Sequence, residues 1–191
     1  MPSSLPQTQP LIPNLRNDVR QLEYAVGAHA VGRVLCAVGP QGLCAVLLGH
    51  DPAILTEDLT TRFPRAALTS GGPRAQRALE EILAVMDGHL ETVTVPLHLL
   101  GTPFERRVWA ELMAIPRGET RSYGAVARAL GVPGAARAVG RACGSNNLGF
   151  VVPCHRVVHS NGQVTGYRWG PTIKKQLLAL EQRGFGIKKS A

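Results

Sequence analysis

Gly101-Thr102-Pro103 constrains this chain more than any other feature, because the hydrophobic pattern changes character across it. Before the break, apolar runs are short and end at Gly or Pro. Leu22–Ala30 and Val31–Val38 are followed by Gly39-Pro40-Gln41-Gly42 and then Leu43–Leu48, which predicts strands with a hairpin turn. Asp51-Pro52 reads as the cap and first position of a helix reaching about Phe63. Pro73–Val85 places Ala75, Leu79, Ile82 and Val85 close to a helical period, and the alternating run Thr92–Leu100 is expected to be a strand. After the break the period is helical, with Phe104, Val108, Trp109, Leu112, Met113 and Ile115 on one face. Ser122 caps a short helix to Leu130, Gly131-Val132-Pro133-Gly134 turns, and a second helix covers about Ala135–Cys143. A last helix is expected over Lys174–Gln182. The fold class is therefore an α/β domain over residues 21–100 and a mainly α domain over 101–191 containing a helix-turn-helix. Residues 1–20, with four Pro among Ser, Thr and Gln, are expected to form a flexible tail.

Charge separates at the same place. Residues 1–100 hold seven Arg, no Lys and nine acids, a net of −2; residues 101–191 hold ten Arg, four Lys and four Glu, a net of +10. Only the second half is suited to a polyanion, and charge alone sets a solubilising excess level with a nucleic-acid partner. The helix after the turn favours the nucleic acid. Gly134, Ala135, Ala136, Ala138, Gly140 and Ala142 surround Arg137 and Arg141, so its backbone can approach a surface closely.

Several function classes are excluded. No apolar run approaches the ~20 residues of a membrane span, and residues 1–20 lack the pattern of a secretory signal. None of Cys36, Cys44, Cys143 and Cys154 forms a C-x-x-C pair, and His29 and His50 complete no zinc spacing with Cys36 and Cys44. Neither metal nor cofactor is expected. Reduced thiols and a cytoplasmic location follow, or a nuclear one in a eukaryote.

Chemistry concentrates at Pro153-Cys154-His155-Arg156-Val157. A Cys beside a His is by itself more often a buried thiol than a catalytic pair. Here Pro153 stiffens the approach, and Asn146 stands in a polar turn eight residues earlier. Ser160-Asn161-Gly162 marks another turn, Tyr167 follows Gly166, and Glu181 is the only acid after Glu119.

Over residues 101–183 these landmarks resemble the O6-alkylguanine-DNA alkyltransferases, or methylated-DNA–protein-cysteine methyltransferases. The resemblance includes Ser122-Tyr123, Ala136-Arg137-Ala138-Val139-Gly140, Asn146, the Cys154 motif, Gly166-Tyr167-Arg168-Trp169-Gly170, and Leu177-Leu178 leading to Glu181. The Tyr167–Gly170 stretch is similar to the alkyltransferase half of the bacterial adaptive-response protein. The resemblance implies a ribonuclease-H-like domain for residues 21–100. It implies a monomer that takes the alkyl group of O6-alkylguanine, and of O4-alkylthymine, from double-stranded DNA once and irreversibly. Cys154 would accept the carbon, His155 would take the thiol proton through a water, Glu181 would orient His155, and Tyr167 would donate to guanine N3. Tyr123, Arg137, Ala136 and Gly140 would bind DNA through the minor groove, Arg137 filling the stack left by the flipped base. Asn146 would be a hinge, and Pro153, Val157 and Trp169 would wall the substrate pocket. The family often has Pro where this chain has Asn147, which loosens the turn. Two rival readings remain at this stage, a non-enzymatic DNA binder and a Cys-His-Glu hydrolase.

Overall fold

The computed structural model describes residues 18–183. Strands β1 (Gln21–His29), β2 (Gly32–Gly39) and β3 (Gly42–Gly49) form an antiparallel meander, and β4 (Ala67–Ser70) adds in parallel beside β1, giving the order β3-β2-β1-β4. Nearly every residue of β2 and β3 is buried because the sheet is covered on both faces. Helix α2 (Pro73–Met86) covers one face through Ala75, Leu79 and Ile82. Helix α1 (Pro52–Arg62) covers the other, where Leu55 and Leu59 meet Leu35, Ala37 and Leu47. Gly42 has φ 125°, and a Cβ there would collide with the Pro96 carbonyl, so the hairpin requires glycine.

The break at Gly101 becomes a helix start. Thr102 Oγ1 accepts from Glu105 N (3.2 Å), Glu105 Oε2 accepts from Thr102 N (2.8 Å), and Pro103 opens α3 (Pro103–Met113). Helix α4 (Tyr123–Ala129), capped by Ser122, and α5 (Ala136–Gly144) pack on α3, with Trp109 Nε1 donating to Ala142 O at 2.8 Å. Two-residue strands β5 (Arg121–Ser122) and β6 (Val157–Val158) pair in parallel, and α6 (Pro171–Gln182) closes the chain. One buried cluster runs across the break, from Val34, Val46 and Ile82 to Val108, Val139 and Leu177.

Two expectations change. Thr92–Leu100 is not a strand. It keeps one bridge to β3, Leu43 to Leu97, because Glu81 captures the backbone N–H of Thr94 (2.6 Å) and of Val95 (3.4 Å) and Pro96 has none to give. The short β4 was not anticipated, since its mostly exposed Ala-Leu-Thr-Ser carries no apolar alternation and only pairing with β1 makes it a strand. The tail expected over 1–20 lies outside the described residues up to 17. Val19 is already buried, and Arg20 O accepts from Ala67 N at 2.8 Å.

Candidate active site

The approach to Cys154 is built from turns rather than from regular structure. Asn146 holds them. Its Oδ1 accepts from Leu148 N (2.8 Å), and its Nδ2 donates to Val152 O (3.0 Å) and Cys154 Sγ (3.3 Å). Asn147 O accepts from Val46 N (2.7 Å) and Gly149 N donates to Val46 O (2.9 Å), so this segment is stitched to β3. Among the described residues Phe150 is the one non-glycine at positive φ (66°), a strained conformation held by tight surroundings. Its ring stacks on His155, centroids 5.7 Å apart and planes 6° apart.

Cys154 and His155 open a single 3-10 turn, Cys154–Arg156, and both are buried. His155 Nε2 donates to Glu181 Oε1 at 2.9 Å. Arg156 grips the same carboxylate through Nε (2.9 Å to Oε2) and Nη2 (2.7 Å to Oε1), and Gly118 N adds a third donor at 3.2 Å. Burial alone would raise the Glu181 pKa, but the bonds from His155 and Arg156 bring it down to about 2. The ionised carboxylate fixes the His155 proton on Nε2, and buried Nδ1 has no partner within the protein. Burial lowers the His155 pKa, so the ring is neutral and Nδ1 can accept a proton.

Burial raises the Cys154 thiol pKa, opposed by the Asn146 amide and by the Lys174 cation. Lys174 is fully buried on α6, with Nζ donating to Val157 O (2.6 Å) and Thr165 O (3.2 Å) and lying 5.9 Å from the Tyr123 ring centroid. Tyr167 is buried with Oη unpaired, and burial drives its pKa well up, so the phenol remains a donor. Beside these groups lies an open cleft of about 790 Å³ lined by Tyr123, Arg128, Arg137, Gly140, Arg141 and His159 among others.

The chain matches the model of the 6-O-methylguanine DNA methyltransferase DNA-binding domain over residues 103–183. It is 46% identical over 148 residues to the methylated-DNA–protein-cysteine methyltransferase of Mycolicibacterium paratuberculosis, covering 75% of this chain and 88% of that protein. The chain belongs to the methylated-DNA–protein-cysteine methyltransferase family. It is also 42% identical over 160 residues to the bifunctional transcriptional activator/DNA repair enzyme Ada of Escherichia coli; those residues are 84% of this chain and 45% of Ada, so the chain spans about half that relative. Mycobacterium tuberculosis OGT, solved in complex with DNA, superposes with a TM-score of 0.71 at 36% identity, covering 84% of this chain and 93% of that one.

In this methyltransferase-family chain the residues singled out from sequence fall into three groups. Cys154, His155, Glu181, Asn146 and Tyr167 form the buried centre. Tyr123, Arg137, Ala136 and Gly140 line the cleft. Pro153 faces another, smaller cavity with Phe150, Met113 and Arg156, while Val157 is buried in β6 with its carbonyl on Lys174. Trp169 packs inward, against both buried clusters. A Cβ on Gly149 would lie 2.6 Å from its ring, which meets the Tyr167 ring edge-to-face with centroids 5.2 Å apart. Sequence reasoning missed Lys174 and Arg156. Lys174 had a signal, since it lies beside Ile173 and three and four residues before the buried Leu177 and Leu178. Arg156 stands inside the Cys154 motif, but nothing local marks its role, because its partner Glu181 is 25 residues away.

Proposed function

We propose that this protein repairs O6-alkylguanine, and O4-alkylthymine, in double-stranded DNA by moving the alkyl group to Cys154 Sγ. The observation that carries this reading is a buried thiol held by Asn146 and followed by a His–carboxylate pair, beside an arginine-lined cleft. His155 Nδ1 takes the thiol proton through one water, and the thiolate attacks the alkyl carbon. The S–C bond forms as the C–O6 bond breaks, leaving the electron pair on guanine. Tyr167 Oη donates toward guanine N3, so charge on the leaving group is neutralised as it develops. The product is a thioether that no neighbouring group can cleave, so each molecule acts once.

The finer architecture belongs to the same reading. Residues 21–100 form a ribonuclease-H-like domain and 101–191 a DNA-binding domain whose α4 and α5 make a helix-turn-helix. Exposed Arg137 enters the duplex from the minor groove as the damaged base rotates out, and Tyr123 crowds the adjacent phosphate. Pro153 and Val157 act on the alkyl pocket through the backbone, as the two caps of the Cys154–Arg156 turn, and Trp169 bounds it through its contact with Tyr167. No helix among the described residues is long and apolar enough to cross a membrane. The protein acts as a monomer wherever DNA is kept, the cytoplasm of a bacterium or the nucleus of a eukaryote.

The test is intact-protein mass after incubation with O6-methylguanine duplex. One added CH2 per molecule, lost in Cys154→Ala, is expected, with Cys154→Ala still binding DNA. Removal of more than one methyl per protein would show turnover and overturn the reading, as would an unmodified Cys154.

A further inference from the structure

Arg62 ends α1 on the far side of the sheet from α2, yet its guanidinium reaches the turn that precedes the active-site segment. Nη1 donates to Asn147 Oδ1 at 2.9 Å and Nη2 to Asp58 Oδ2 at 2.6 Å. Arg62 is 6% exposed and Asn147 4%. Asn147 adjoins Asn146, whose amide holds both Val152 O and Cys154 Sγ. Helix α1 therefore connects to the thiol through three side chains, those of Arg62, Asn147 and Asn146, and one peptide bond.

We propose that Arg62 is a positioning residue for alkyl transfer: through Asn147 it holds the turn from which Asn146 places the Cys154 thiol. The bond is not optimised for stability. Arg62 Nε and Asn147 Nδ2 are both buried without a partner, which costs free energy. What the pair provides is location. The turn lacks the ring-fixed φ of a proline, and Arg62 restrains Asn147 from outside instead. The backbone bonds of Asn147 and Gly149 to Val46 fix the segment along β3, and the Arg62 bond fixes the Asn147 side chain on the same strand's α1-covered face. A helix carrying none of the reacting groups thereby shapes the site.

This inference rests on the proposed alkyl transfer for its main readout. A double-mutant cycle tests it, using Arg62→Met, Asn147→Ala and the pair. Single-turnover transfer from O6-methylguanine duplex is measured well below each variant's melting temperature, together with duplex affinity. Each single variant and the double are expected to lose the same roughly tenfold in transfer rate, about 1.4 kcal/mol of barrier. Duplex affinity is expected to be unchanged, because the cleft residues lie on α4, α5 and the loop after β6. Arg62→Lys should recover part of the rate, since an ammonium can still donate to Asn147. Phe63→Leu is the control, because it removes packing at the same helix end without touching Asn147. Unchanged rates, additive losses, or an equal loss in Phe63→Leu would each overturn the proposal. Reaction of Cys154 with a small thiol-alkylating reagent across pH is followed in the same cycle. If wild type accepts no alkyl group from DNA, the repair reading fails, while coupled changes in thiol reactivity still decide the role of Arg62. Should Arg62→Met fail to fold, Asn147→Ala and Arg62→Lys carry the comparison.

Discussion

Replacing Glu181 by Gln tests the electrostatic account of the site most directly. The carboxylate accepts from His155 Nε2, from Arg156 Nε and Nη2, and from Gly118 N. Gln keeps the shape but loses the charge and turns a donor toward one of these donors. The magnitude follows from the carboxyl pKa, about 2 here against about 4.3 in an unfolded chain. That difference is worth about 3 kcal/mol of stability at neutral pH. Removing one member of a buried ion pair gives an independent figure of about 3–5 kcal/mol. For a chain of this size, 3 kcal/mol corresponds to a melting temperature lower by about 6–12 °C. The sign with pH is fixed. The folded pKa is depressed, so the contribution is complete above about pH 4.3 and fades as pH falls toward 2. His155 adds a second loss. Burial lowers its pKa, so the unfolded chain takes up that proton first and stability declines as pH drops below about 6.5. Thermal unfolding followed by circular dichroism from pH 8 to pH 3 is the assay, wild type beside Glu181→Gln. The gap between them should be largest at neutral pH and narrow below about pH 4. A variant melting within about 2 °C of wild type at pH 7, under 1 kcal/mol, would refute the reasoning.

Arg137→Ala should slow repair in duplex DNA far more than reaction with free O6-alkylguanine base, because only the duplex must be unstacked, at a few kcal/mol; equal losses would show that Arg137 serves binding or folding alone. Duplex affinity should fall with salt, and the exposed Arg128 and Arg141 that line the cleft, each on one phosphate, would together give a log–log slope of about −1.8; a flat salt titration contradicts this. Trp169→Gly should keep methyl repair and gain inactivation by O6-benzylguanine, since it empties the space behind Tyr167; a folded variant with no gain would remove Trp169 from control of the pocket.

The helices were legible wherever caps and periods agreed. Ser122, Thr102-Pro103 and Asp51-Pro52 mark starts that the structure keeps as α4, α3 and α1. Thr92–Leu100 misled because alternation is a local signal, whereas the Glu81 carboxylate that captures its N–H groups arrives from α2. The same distinction holds in the site. Cys154, His155 and Asn146 lie within ten residues and could be read together. Arg62 could not, because it meets Asn147 across 85 positions and only the docking of α1 on the sheet brings them together. Asn147 read as a loosened turn from its sequence alone. The turn is held, by a side chain from the other half of the chain.

Burial, with a smaller part from the charges around Glu181, explains how a histidine can serve as a base beside a carboxylate. A carboxylate paired with His155 alone would favour the imidazolium, and the base would already be protonated. Burial of the ring outweighs that pull, and the charges of Lys174 and of Arg156, which shares the same two oxygens, add to the effect of burial. His155 is therefore oriented by Glu181 without being charged by it. The thiol is treated in the complementary way. Burial keeps it protonated, while Lys174 and the Asn146 amide favour the thiolate once it forms. Proton transfer from Cys154 to His155 is thus uphill before substrate arrives. In the proposed reaction it is drawn forward by the S–C bond that the thiolate makes, so reactivity is kept for an alkyl carbon delivered to the site.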